Sequence, residues 1–143
     1  MTLKLISIVI LVIIAGAWRF NNPFETPNED SFSSQQVQYF DQILDHFTYL
    51  HPQFWKQRYF VNNAYFDPAH GPVILYICGE GICNGVADQS WTSLIAQNTH
   101  ALIIALEHRY YGDSLPFRSD SFSIDNLRFL NSKQALKDIA YFI

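Results

Sequence analysis

Two segments combine residue types that do chemistry with a position where chemistry is done. The first is Cys78-Gly79-Glu80-Gly81-Ile82-Cys83, directly after the apolar run Val73-Ile74-Leu75-Tyr76-Ile77. In open α/β sheets ligands gather beyond the carboxyl ends of the strands. Glycines at such an end let backbone N–H groups come close to a ligand, as an oxyanion hole requires. Gly79, Glu80 and Gly81 are therefore candidates for an oxyanion-binding loop. The structural alternative is a tight turn with its carboxylate in water. The second segment is Glu107-His108-Arg109-Tyr110-Tyr111-Gly112, after the apolar run Ala101 to Leu106. An acid, an imidazole, a guanidinium and two phenols at a strand exit can hold a carboxylate or orient a neighbouring catalytic loop. Glu107, His108, Arg109, Tyr110 and Tyr111 are candidates for supporting a site. A buried Glu–Arg pair with packed tyrosines would account for the same residues without chemistry. The five His are scattered singly, and neither H-E-x-x-H nor C-x-x-C occurs, so neither a metal nor a cofactor is expected.

A third segment, Gly112-Asp113-Ser114-Leu115-Pro116, carries a serine in a suggestive setting. Gly-Asp-Ser-Leu matches the short signature of one esterase and lipase class, in which the Ser is the nucleophile. It also half-matches the nucleophile elbow G-x-S-x-G, with Pro116 in place of the last Gly. In that esterase class the motif follows a first strand near the mature amino terminus, whereas here it follows a second buried strand and a polar, aromatic segment. Ser114 reads as a loop residue, and the esterase as an alternative. No other Ser stands in a G-x-S-x-G context.

The elements that must hold these segments are those of an α/β unit. Residues 37–47 mix aromatic and aliphatic positions without a clean period. Trp55 to Val61 is rich in β-formers, and Asn62-Asn63 offers a turn before Ala64-Tyr65-Phe66, which predicts a hairpin. Val73 to Ile77 and Ala101 to Leu106 predict two strands covered on both faces. Between them Asp88 or Ser90 caps a helix running to about Asn98, with Trp91, Leu94 and Ile95 on one face. The order strand, helix, strand predicts a right-handed crossover and a parallel pair. Asn131 followed by Gln134 resembles a capping box. It opens a helix whose Ala135, Leu136, Ile139, Ala140 and Ile143 form an apolar stripe that should pack on a sheet. Only two parallel strands are visible to receive it, and residue 143 falls inside that helix, so residues 37–143 read as a partial domain.

Composition and the amino terminus bound the rest. Apolar residues make up 49% and charged residues 15%, which excludes a disordered or collagenous chain. Nine Lys and Arg against 13 Asp and Glu give a net charge of -4, the wrong sign for a phosphate-tracking nucleic-acid binder. Lys4, an aliphatic run from Leu5 to Ile14 and Ala15-Gly16-Ala17 predict a secretory signal over 1–17, cleaved after Ala17. The run is shorter than the roughly 20 residues of a membrane span, and no stable span is expected once the signal is gone. Residues 18–36, with Pro23, Pro27 and a Ser cluster, read as a polar amino-terminal arm. The route is then secretory, and in that oxidising setting Cys78 and Cys83, the only two Cys, could pair to stiffen their loop.

Taken together the segments resemble a known family. The markers run from Asp41 to Ile143: Gln42-Ile43-Leu44-Asp45-His46-Phe47, Gln57-Arg58-Tyr59-Phe60-Val61-Asn62, Gly71 through Glu80, Leu106 through Phe117, Asn126-Leu127-Arg128-Phe129-Leu130, and Lys133 through Ile143. Six blocks in this order resemble the serine peptidases of the lysosomal Pro-X carboxypeptidase, dipeptidyl peptidase II and thymus-specific serine protease family. The placement of Cys78 and Cys83 is most similar to its plant and protist branch. The resemblance implies an α/β-hydrolase fold with a helical cap domain inserted later in the chain. It implies a secreted or lysosomal/vacuolar exopeptidase that cleaves peptide substrates after Pro or small residues near a terminus. It also implies a nucleophile in a G-G-S-Y-x-G elbow, with Asp and His partners, all beyond Ile143, so no catalytic residue is expected within this chain. What it assigns here is the Gly79-Glu80-Gly81 oxyanion loop and the Glu107 to Gly112 support, with Ser114 a support-loop residue. A non-catalytic secreted product is the other class that fits a chain without a triad.

Overall fold

The computed structural model describes Ile8–Val9, residues 35–48 and residues 50–143. The expected cleavage after Ala17 and most of the polar arm lie outside the described residues. Five strands form one mixed sheet: β1 (Ile8–Val9), β2 (Gln36–Ile43), β3 (Phe54–Asn62), β4 (Val73–Ile77) and β5 (Leu102–Leu106), in the order β1-β4-β5-β3-β2. The continuous apolar runs form β4 and β5, which pair in parallel with Val73 opposite Leu102 and Ile77 opposite Leu106. β3 is antiparallel to both β5 and β2. β1, which lies within the expected signal over 1–17, pairs two residues in parallel with the outer edge of β4, and a chain cleaved after Ala17 would keep the other four strands. Helix α1 (Trp91–Thr99) links β4 to β5, and α2 (Ser132–Phe142) closes the described chain. The fold is α/β.

The hairpin expected at residues 55–66 does not form. β3 is there, but it turns back on β2 through the Leu44–Gln53 connection, with Ile43 opposite Phe54. The Asn62 side chain accepts from the Ala64 amide at 3.0 Å, and Phe66 N–H donates to the Asn63 carbonyl at 3.1 Å. Residues 62–66 thus satisfy one another in a turn and leave no strand to pair. Residues 37–47, without a clean period in sequence, supply most of β2. Just before β2 the Gln35 side chain exchanges two 2.8 Å hydrogen bonds with the backbone of Val86.

Strand parity separates the two faces. Phe60, Ile74, Ile103 and Ala105 form a core with Ala96 of α1, Cys78, Cys83 and Val86. On the other face Phe142 of α2 meets Phe40 and Tyr59 edge-on, at 5.1 and 5.2 Å between ring centroids. Both caps expected at the helix starts are present: Ser90 accepts from Ser93 N–H, and Asn131 accepts from Gln134 N–H. The helix faces differ from expectation. α1 buries Thr92, Ser93 and Ala96 and leaves Trp91 78% exposed, because small side chains allow the helix to lie close on β5. α2 buries Gln134 and Asp138, while Ala135 and Ile139 are half-buried and Leu136 and Ile143 exposed. The reason lies in the charges that α2 covers. Among the described residues no helix is long and apolar enough to cross a membrane.

Candidate active site at the strand ends

Both segments singled out for chemistry lie where the parallel pair ends. Gly79, Glu80 and Gly81 sit exposed just past β4. Gly81 N–H donates to the Gly79 carbonyl at 3.0 Å, a tight turn that presents the loop outward. The turn is flanked by Cys78 and Cys83, both buried, which the structure joins as a disulfide with Cα atoms 5.8 Å apart.

Past β5 the chain splits its charges between the two faces of the sheet. Glu107 is fully buried, and its partner is Arg58 of β3, not Arg109. Arg58 donates to Glu107 through Nε at 3.1 Å and Nη2 at 2.7 Å, and to Asp113 through Nη1 at 2.6 Å. Burial works against the Arg58 charge, but Glu107 and Asp113 outweigh it and hold its pKa above the usual guanidinium value. Ser114 is fully buried beside them. Its Oγ donates to Glu107 at 2.8 Å and accepts from Arg58 N–H at 2.9 Å, which leaves it a structural hydroxyl in this geometry. Gly112, at φ +54°, fits only as glycine, since a Cβ there would lie 1.9 Å from Glu107 Oε1.

Arg109, also fully buried, turns to the α2 side. Its Nε and Nη2 each reach Asp138 at 2.6 Å, a bidentate pair. The other N–H groups reach the carbonyls of Leu44 (3.2 Å), Phe129 (2.9 Å) and Ile43 (3.3 Å). All five donors of the guanidinium are thus engaged. His46 Nε2 lies 2.8 Å from Asp138 Oδ1, and Gln42 bridges Gln57 and the Asp138 carbonyl. α2 must therefore turn Asp138, and Gln134 one turn earlier, toward the sheet. Gln134 spends its side chain on the Asp45 carboxylate and the His46 amide, so the reciprocal half of the capping box is absent. Hydrogen bonds from Thr48, Gln134 and the Phe47 amide hold Asp45 below the usual carboxylate range against a smaller opposing effect of burial.

His108 and Tyr111 lie half-buried at the same exit. His108 Nδ1 sits 2.7 Å from the Arg109 carbonyl, an acceptor only, so Nδ1 carries the proton and Nε2 of the neutral ring is the acceptor. Its ring meets Tyr111 edge-on at 5.3 Å. Tyr110 adopts φ 71°, is buried with Trp55, Leu44 and Phe129, and donates its hydroxyl to the Asn126 carbonyl; burial pushes its phenol pKa up. A cavity of about 10 Å³ lies between α2 and the strand ends, bordered by Ile77, Leu106, His108 and Ile139. It holds a water at most, not a peptide side chain. Arg58, Asp138, Gln42, Gln57 and His46 were not singled out as site residues by sequence reasoning. The spacing of Gln134 and Asp138, one helical turn apart and both polar beside an apolar stripe, was the available signal.

A sheet whose parallel strands end at a disulfide-closed glycine loop, braced by buried ion pairs, has the layout of an α/β enzyme's ligand-binding end. The profile of the serine carboxypeptidase S28 family matches residues 42–143, and the chain belongs to that family of serine peptidases. It is 42% identical over 104 residues to a probable serine protease EDA2 of Arabidopsis thaliana, covering 73% of this chain and 21% of the relative. It is 37% identical over 123 residues to a lysosomal Pro-X carboxypeptidase of Mus musculus, covering 82% and 24%. It is 35% identical over 105 residues to a thymus-specific serine protease of Homo sapiens, covering 73% and 20%. The chain thus spans about a fifth to a quarter of the length of these relatives.

Proposed function

We propose that these residues are the scaffold part of a serine exopeptidase with the α/β-hydrolase fold, acting on peptides near a terminus after Pro or small residues in the secretory pathway or lysosome. The observation that carries this is the position of the Gly79-Glu80-Gly81 loop, on the exit of a parallel strand and fixed at both ends. In serine peptidases a Ser Oγ attacks the carbonyl, a His takes its proton, an Asp orients that His, and backbone N–H groups stabilise the oxyanion. The 79–81 loop would supply one such donor. Losing one typically costs about 3 to 4 kcal/mol of transition-state stabilisation. The Glu107–Tyr111 segment would keep the loop in place. The Pro-X and lysosomal parts of the reading rest on the names of relatives. The nucleophile, Asp and His would be carried by sequence outside residues 1–143, and this chain alone would be inactive.

Two experiments test the reading. A transcript that continues past Ile143 into a G-x-S-x-G elbow supports it, and a stop codon there leaves a non-catalytic secreted product. The exported chain is also treated with an active-site fluorophosphonate, with Ser114→Ala as control. No labelling of either form is expected. Labelling that Ser114→Ala abolishes would install the Gly-Asp-Ser-Leu esterase instead, and labelling that survives it would place a nucleophile elsewhere in the chain.

A further inference from the structure

Glu107 gathers three separate stretches of chain on one carboxylate. Oε1 accepts from Cys83 N–H at 3.0 Å and Arg58 Nη2 at 2.7 Å. Oε2 accepts from Arg58 Nε at 3.1 Å, the amides of Asp113 (3.1 Å) and Ser114 (3.0 Å), and Ser114 Oγ at 2.8 Å. Arg58 Nη2 also donates to the Cys83 carbonyl at 3.0 Å. Both backbone groups of Cys83 are therefore held by the Glu107–Arg58 pair. At the other end of the ring Cys78 N–H donates to the Leu106 carbonyl at 3.0 Å, continuing the β4–β5 ladder. Each end of the loop is fixed by bonds in which sulfur takes no part.

We propose that Glu107 is the positioning residue of the Cys78–Cys83 loop. Its carboxylate sets where the loop sits and ties it to residues 112–114, while the disulfide closes the ring without placing it. The functional meaning rests on the oxyanion reading above; the geometry does not. Only a carboxylate fits the position. Six donors converge on it, and an isosteric amide would turn two N–H groups of its own into some of them, whichever way it faced. A buried donor left without an acceptor is costly, so the amide variant should open the network locally.

Hydrogen exchange of individual amides in the exported chain tests this in three forms: wild type, Cys78→Ala with Cys83→Ala, and Glu107→Gln. In Glu107→Gln the amides at 83, 113 and 114 are expected to exchange about tenfold faster or more, while the β2–β3 ladder keeps its rates. A residue that merely adds stability would speed every amide together. In the double alanine variant the same three amides are expected to stay within about threefold of wild type relative to that ladder. Release of those amides by the double variant, or their unchanged rates in Glu107→Gln, overturns the proposal. Should Glu107→Gln fail to fold, the double variant alone decides: retention supports the assignment and release overturns it. Exchange needs no activity, so the fluorophosphonate result can sink the peptidase reading while leaving this one standing.

Discussion

Asp138 and Arg109 face each other with both charges out of water, and the worth of such a pair shows when one member is lost. Asp138→Asn keeps the shape but leaves a fully buried guanidinium without a counter-charge. Breaking a buried pair in this way costs about 3 to 5 kcal/mol, a large share of the roughly 5 to 15 kcal/mol that holds a small domain together. Urea unfolding of Asp138→Asn should show that loss. The double variant Arg109→Met with Asp138→Leu should be less destabilised than the single, because it removes the orphan along with the partner. Equal stability of Asp138→Asn and wild type would show that water reaches the pair. These residues also mark what was readable at this scale. The sequence placed Glu107 and Arg109 at one strand exit and offered a pair between them, yet each takes a partner from another element, Arg58 from β3 and Asp138 from α2. Partners 49 and 29 residues away leave no local trace, because a carboxylate or guanidinium in sequence does not announce which face of a sheet it will occupy.

Elements declared themselves where burial was two-sided and failed where it was not. β4 and β5 read as continuous apolar runs because both faces are covered. β2 is an edge strand whose only fully buried side chain is the polar Gln42, so hydrophobic spacing carried no period there. Helix ends were readable from Ser90 and Asn131, since a cap is a local hydrogen bond. The end of α1 offers a test of the same local physics. His100 occupies the left-handed region at φ 55°, its side chain exposed and its carbonyl taken by the Asp67 amide at 3.0 Å. A left-handed conformation costs an L-residue about 1 to 2 kcal/mol, and glycine returns about 0.4 to 1 of that to the unfolded chain. His100→Gly should therefore stabilise by somewhat under about 1 kcal/mol, and His100→Ala, which keeps the strain, should not. Thermal melts of the two variants beside wild type decide it, and a lower melting temperature for the glycine variant would refute the strain.

Among the described residues α1 turns small and polar residues to the sheet, α2 sets polar Gln134 and Asp138 there beside Phe142, and both helices carry apolar side chains outward. On α1 these are Trp91, Leu94 and Ile95, exposed by 78%, 46% and 39%; on α2 and its C-cap they include Leu136 and Ile143, exposed by 66% and 55%. A single exposed leucine is ordinary, but residues seven apart fall on one helical face with the exposed Ala140 between them. β2 adds a second sticky feature, an eight-residue edge carrying exposed Val37 and Tyr39, with Lys56–Asp41 as the nearby ion pair. The net charge of -4 is modest protection against association. The exported chain is therefore expected to self-associate as its concentration rises through the micromolar range. If the α2 face drives this, Leu136→Lys with Ile143→Lys should shift the chain toward monomer in light scattering coupled to size exclusion. Neither side chain reaches the Arg109–Asp138 pair, so the unfolding midpoint should hold. Association unchanged by the lysines would move the cause to α1 or the β2 edge, and a wild-type chain that stays monomeric at every concentration would show that these outward faces are not adhesive at all.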